Sequence, residues 1–77
     1  MHRLSTLRAT HQQLLAFDTT ARLLSVTQAA RELSISQPTI SIQLKELAEN
    51  IGLPLFEQIG RRLYLTEAGK ELQATVQ

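Results

Sequence analysis

The sequence has no cysteine. That excludes a disulfide framework, an iron–sulfur cluster and a thiolate zinc site. It has no uncharged apolar run near the roughly 18 residues needed to span a membrane. The opening Met1-His2-Arg3-Leu4-Ser5 lacks the apolar stretch of a signal peptide. It also lacks a charge excess. Eight Lys plus Arg against seven Asp plus Glu leave a net charge of +1 and a pI near 8.3. That falls below the value of about 9 at which charge alone points to nucleic acid. Any case for DNA therefore rests on where the charges lie. The 77 residues form at most one small domain. With 43% hydrophobic and 19% charged residues, composition is that of a globular chain rather than a tail or fibre.

Three breaks punctuate the chain: Ser34-Ile35-Ser36-Gln37-Pro38, Gly52-Leu53-Pro54 and Gly60-Arg61. A first helix is expected from about Thr10, its N-cap, to Arg22, with Leu14, Phe17 and Ala21 on one face and Leu24 continuing it. Residues 1–9 read as an arm whose only charges are Arg3 and Arg8. A second, short helix is expected from a Thr27 cap, with Ala29, Ala30 and Leu33 as its apolar face. Ser34-Ile35-Ser36 then reads as a tight turn whose central isoleucine tucks into the core.

A third helix is expected from a Ser36 or Gln37 cap, with Pro38 in its first turn, where its missing N–H costs nothing. Ile40, Leu44, Leu47 and Ile51 form a narrow core stripe, and Gly52 with Pro54 ends the helix. The period then changes to two. Leu55–Ile59 and Arg62–Leu65 flank Gly60-Arg61, the pattern of a two-residue hairpin turn. Leu63 and Leu65 are expected to face inward, Arg62 and Tyr64 outward. Thr66-Glu67 opens a last helix that meets no stop signal before Gln77. The fold class is mainly α: three helices, a two-stranded β wing and a C-terminal linker helix, which is a winged helix-turn-helix.

Opposite the core stripe of the third helix lie Pro38, Ser41, Ile42, Lys45 and Glu49, with Gln37 and Thr39 flanking its start. Short hydrogen-bonding side chains near a helix N-terminus suit the major groove, and an apolar one suits a thymine methyl. A plain solvated face with one stray isoleucine is the competing reading. Arg61 and Arg62 at a hairpin tip suit a phosphate backbone or a minor groove, although charged tips also serve solubility. The N–H groups of Thr27 and Gln28 suit a phosphate, or simple capping. Glu46 should point away from the groove. Two other functions compete with DNA binding. A winged helix can serve protein contact, and salt-dependent binding of duplex DNA separates the two. An enzyme would need nucleophile–base spacing, which His2, His11, Asp18 and the serines do not supply.

The blocks Ala29-Ala30, Leu33, Ser36-Gln37-Pro38-Thr39-Ile40-Ser41, Leu44-Lys45-Glu46-Leu47, Gly52-Leu53-Pro54-Leu55-Phe56-Glu57, Gly60-Arg61-Arg62 and Leu65-Thr66-Glu67-Ala68-Gly69 resemble the DNA-binding domain of LysR-type transcriptional regulators. The match covers roughly Leu14 to Leu72. The resemblance implies sequence-specific binding of double-stranded DNA by a winged helix-turn-helix over 1–65. Residues 66–77 would begin a linker helix that dimerises. A small-molecule effector domain would follow elsewhere, and the full-length protein would be a cytoplasmic, tetrameric regulator with no cofactor in this domain. Ser36, Gln37, Pro38, Thr39, Ser41, Ile42 and Lys45 are the expected DNA residues of a recognition helix at about 37–50. Thr27 and Gln28 would join from the second helix, and Arg61 and Arg62 from a wing at about 56–65.

The sequence also departs from that family. Ile42 stands where Arg is very common, Leu24-Ser25-Val26 where Gly-Ser-Phe is frequent, and Gln58 where Arg is common. The Ala9–Leu14 opening and the apolar residue at 42 are similar to the branch controlling carbon-fixation operons. Ala68, Leu72 and Val76 recur every four residues and are the expected seam of a symmetric homodimer.

Overall fold

The computed structural model describes residues 10–76. The expected arm, with Arg3 and Arg8, and the last residue, Gln77, lie outside the described residues. In chain order the elements are α1 (His11–Leu23), α2 (Val26–Leu33), α3 (Gln37–Ile51), β1 (Phe56–Ile59), β2 (Arg62–Leu65) and α4 (Glu67–Val76). This is the winged helix-turn-helix read from the sequence.

Each helix starts on a hydroxyl. The Thr10 side chain accepts from Gln13 N at 3.0 Å, while Gln13 Oε1 accepts from Thr10 N at 3.3 Å, a reciprocal capping box. Ser36 Oγ accepts from Thr39 N at 3.2 Å, and Pro38 sits in the first turn. Thr66 Oγ1 accepts from Gly69 N at 3.0 Å and donates to the Pro54 carbonyl at 2.6 Å. The start of α4 is thereby tied to the segment leading into the wing.

The start of α2 differs from expectation. Its cap is Ser25, whose hydroxyl accepts from Gln28 N at 3.1 Å, and Thr27 already lies inside the helix. Both residues are capping types. The choice falls on Ser25 because Leu24 has taken the left-handed conformation (φ 51°) and ended α1 one residue earlier. Starting at Val26 also brings that side chain onto the core. The same turn corrects a second expectation: Leu24 does not continue the α1 face but stands 44% exposed.

Ile35 is likewise not in the core, being 37% exposed. Ser34 takes the left-handed region (φ 58°), and the Ile35 N–H bonds back to the Ala30 carbonyl at 3.0 Å. That closure turns the Ile35 side chain into a shallow groove with Leu15, Leu33 and Thr39.

Two clusters make the interior. Ala16, Ala29, Ala30 and Ile40 fill the junction of the first three helices, where small side chains allow close approach. Phe17, Ala21, Leu47 and Leu55 form the second cluster, with Phe56, Leu65 and Ile51 packed against it. The Phe17 and Phe56 rings meet at 5.5 Å and 51°, joining α1 to the wing. Ile40 and Leu47 of the expected α3 stripe are fully buried, and Leu44 and Ile51 are half-buried. Ala68, Leu72 and Val76 pack on this second cluster. The stripe expected to meet a second copy therefore also packs within the chain, on the apolar faces of α1 and β2, while Ala68, Leu72 and Val76 stay half-buried.

The hairpin is antiparallel, with Ile59 opposite Arg62 and Phe56 opposite Leu65. Gly60 has φ 63°, and Arg61 is not among the positive-φ residues, as a type II′ turn requires. Leu63 and Leu65 turn inward, while Arg62 and Tyr64 are exposed.

Candidate nucleic-acid interface

Three elements present residues to one concavity of about 370 Å³. Its walls include Ser25 and Thr27 at the start of α2, Gln37 at the start of α3, and Gln58, Arg61 and Leu63 from the wing. Leu24 forms its rim. Residues far apart in the chain, Thr27, Gln37 and Arg61, thus border the same polar hollow.

The backbone at the two helix starts explains what that hollow can bind. The first helical bond of α2 runs from Ala29 N to Ser25 O, and Ser25 Oγ occupies the Gln28 N–H. The Gln28 N–H, expected to face a phosphate, is engaged in the cap. The Thr27 N–H is left without a helical partner. In α3 the first bond runs from Ile40 N to Ser36 O, Ser36 Oγ takes the Thr39 N–H, and Pro38 has no N–H. Within the first turn of α3, Gln37 keeps a backbone donor without a helical partner. Two helix N-termini and a guanidinium around one hollow form a setting for an anionic oxygen.

The outward edge of α3 carries Pro38, Ser41, Ile42 and Lys45, all exposed; Ile42 is 57% exposed, as expected. Ser41 and Lys45 also edge a shallow apolar cleft of about 280 Å³ against Pro54, Phe56 and Leu63. The wing therefore flanks the side of α3 that bears Ser41. Two expected site residues sit differently. The Ser36 and Thr39 hydroxyls bond each other at 2.8 Å within the cap. Thr39 is half-buried and lines the groove on the α1 side, with Gln12, Leu15 and Gln43. The structure does not bring Thr39 to the hollow formed with the wing.

Charge placement is selective. Among the described residues the one ion pair joins Arg22 to Glu32. The hydrogen bond that Arg22 donates to Glu32, and then the Glu32 charge, raise the Arg22 pKa above its ordinary value. That cation is already engaged. Arg61, Arg62 and Lys45 are exposed and make no ion pair there. Glu46 is held away from them, accepting from Gln13 Nε2 at 3.1 Å on the α1 side. Gln58 and Ser25 were not among the expected site residues. The signal for Gln58 was its place two residues after Phe56, on the same strand face and opposite Leu63, and for Ser25 its capping type. Among the described residues no cluster of three or more His, Asp or Glu side chains could hold a metal ion. No helix there is long and apolar enough to cross a membrane.

The family profile described as bacterial regulatory helix-turn-helix protein, lysR family, matches residues 11–70. The chain is 55% identical over 62 residues to the HTH-type transcriptional activator CmpR of Synechocystis sp., covering 80% of this chain and 20% of that protein. It is 50% identical over 64 residues to a RuBisCO operon transcriptional regulator of Acidithiobacillus ferrooxidans, covering 83% and 21%. It therefore spans about a fifth of the length of these curated relatives. The BenM DNA-binding domain, solved in complex with catB site 1 DNA, superposes with a TM-score of 0.79 at 31% identity, covering 83% of this chain and 72% of that one. With a profile matching most of its length and a fold shared with such a DNA-bound domain, the chain belongs to the LysR family of bacterial regulatory helix-turn-helix proteins.

Proposed function

We propose that this chain binds double-stranded DNA in a sequence-specific way, as the N-terminal domain of a dimeric LysR-type transcriptional regulator acting in the cytoplasm. α3 lies in the major groove, and the wing, residues 56–65, follows the backbone or the minor groove. The observation that carries this reading is the convergence of Thr27, Gln37 and Arg61 on one polar hollow. A phosphate placed there meets two helix N-termini and a guanidinium. Gln37 and Ser41 then stand at base edges, with Ile42 and Pro38 beside them.

The 50% identity to a relative named as a RuBisCO operon transcriptional regulator supports a regulator of the carbon-fixation branch. Residues 66–77 begin the linker helix, and a small-molecule effector acts through a domain outside this chain. Dimerisation through the residues after Thr66, and a tetramer of the full-length protein, rest on the family resemblance. Leu72 and Val76 are only half-buried and so keep some surface for a second copy. Neither a cofactor nor a catalytic step belongs to this reading.

The test is selection from a duplex library with a randomised core, followed by anisotropy titration of the selected and scrambled duplexes at several salt concentrations. The selected duplex should bind more tightly than the scrambled one, and both affinities should fall steeply as salt rises. Equal, salt-independent binding of both overturns the proposal and favours a protein-contact role.

A further inference from the structure

The outward edge of α3 is short of cations. Between Gln37 and Leu44 there is no lysine or arginine, and Lys45 is the first positive charge of the helix. Guanine is most often read through a bidentate donor from arginine or lysine, which the first two turns of α3 therefore lack.

The polar groups of those turns are also fewer than the sequence suggests. The Ser36 and Thr39 hydroxyls are engaged with each other, and Gln43 lines the groove on the α1 side. What remains facing outward is the Gln37 amide, the Ser41 hydroxyl and the hydrocarbon of Pro38 and Ile42, two side chains one turn apart and both exposed. Ile42 is 57% exposed although it sits on a helix whose apolar stripe faces the opposite way. Nothing in the core accounts for a branched side chain there.

We infer that Ile42 is a specificity-determining residue that selects thymine through its 5-methyl group, within a stretch of A·T pairs read by the first two turns of α3. This rests on the DNA-binding reading above. A branched hydrocarbon gains by covering a methyl group and offers nothing to the exocyclic amine of cytosine or the carbonyl of guanine. The Gln37 amide, one turn before Ser41, supplies the bidentate donor and acceptor that adenine presents.

The experiment uses deoxyuridine, which removes the thymine methyl and leaves pairing and hydrogen-bond acceptors unchanged. In the duplex selected from the random library, each thymine is replaced in turn and binding to the 77-residue chain is measured by anisotropy. At one thymine per half-site the replacement should weaken binding about fourfold, the worth of one buried methyl-sized group. Ile42→Ala should lose a similar factor on the thymine duplex and become indifferent to uracil at that position. Ile42→Arg, with an unchanged melting temperature, should shift the selected base at that position toward guanine. If uracil is silent at every position, or weakens Ile42→Ala as much as the native chain, the inference is overturned while the DNA-binding reading stands. If no duplex is selected at all, the DNA-binding reading itself falls, and this inference with it.

Discussion

Gly69 on α4 lies against the backbone carbonyl of Leu55 so closely that a Cβ would overlap that oxygen. The contact sits beside the Thr66 hydroxyl bridge to Pro54, and the Thr66 N–H donates to the same Leu55 carbonyl at 3.1 Å. Together these contacts join α4 to the segment leading into the wing. They also hold Leu55, 2% exposed, in the second core cluster.

Gly69→Ala should therefore destabilise the fold by about 1–3 kcal/mol, the usual cost of overpacking. Alanine favours an exposed helix by up to about 1 kcal/mol over glycine, so intrinsic propensity pulls the other way. Urea unfolding decides between them. A variant as stable as the native chain would mean that α4 can shift away from Leu55 at little cost.

Thr20 is fully buried in α1, and its hydroxyl has no hydrogen-bond partner among the described residues. A buried unpaired hydroxyl is a net cost, and valine replaces it with a methyl group of similar size. Thr20→Val should raise stability by about 1 kcal/mol. A lowered melting temperature would show that the hydroxyl is satisfied in solution.

Gln13, 8% exposed, spans α1 and α3 through its bond to Glu46. Glu46→Ala should cost about 1–2 kcal/mol, because it strands a buried amide donor. Glu46→Gln keeps an acceptor oxygen and should cost clearly less. Equal melting temperatures for the two variants would deny the bond any structural weight. Glu46→Ala should leave the preference between selected and scrambled duplexes unchanged, since its side chain is turned toward α1.

Gln37 and Arg61 border the same hollow but should fail differently when truncated. Gln37→Ala should cost about 1–3 kcal/mol on the selected duplex and less on scrambled DNA, because it removes a base contact. Arg61→Ala should weaken both by a similar factor and flatten the salt dependence by about one unit of slope, because it removes a phosphate contact. A sequence-dependent loss with Arg61→Ala would move that side chain from the backbone to a base edge.

Local chemistry made much of the architecture readable in advance. The Thr10 and Ser36 caps, Pro38 in a first turn, the Ile40–Leu47 stripe and the Gly60 turn each depend on neighbours within a few residues. Short-range hydrogen bonding and side-chain periodicity decide such features, and both are written in the order of residues. The exposure of Ile42 followed from the same wheel.

The tertiary fold decided what depends on competition between distant groups. Ser25 and Thr27 are both capping residues, and only the end of α1 at Leu24 selected Ser25. Ile35 is apolar, yet the left-handed turn at Ser34 placed it at the surface. Ala68, Leu72 and Val76 form an apolar stripe whatever covers it, and the open side of Phe17 and Leu55 covers part of it within the chain. The hollow shared by Thr27, Gln37 and Arg61 exists because the packing of α2, α3 and the wing sets their distances, and no spacing along the chain encodes a distance across it.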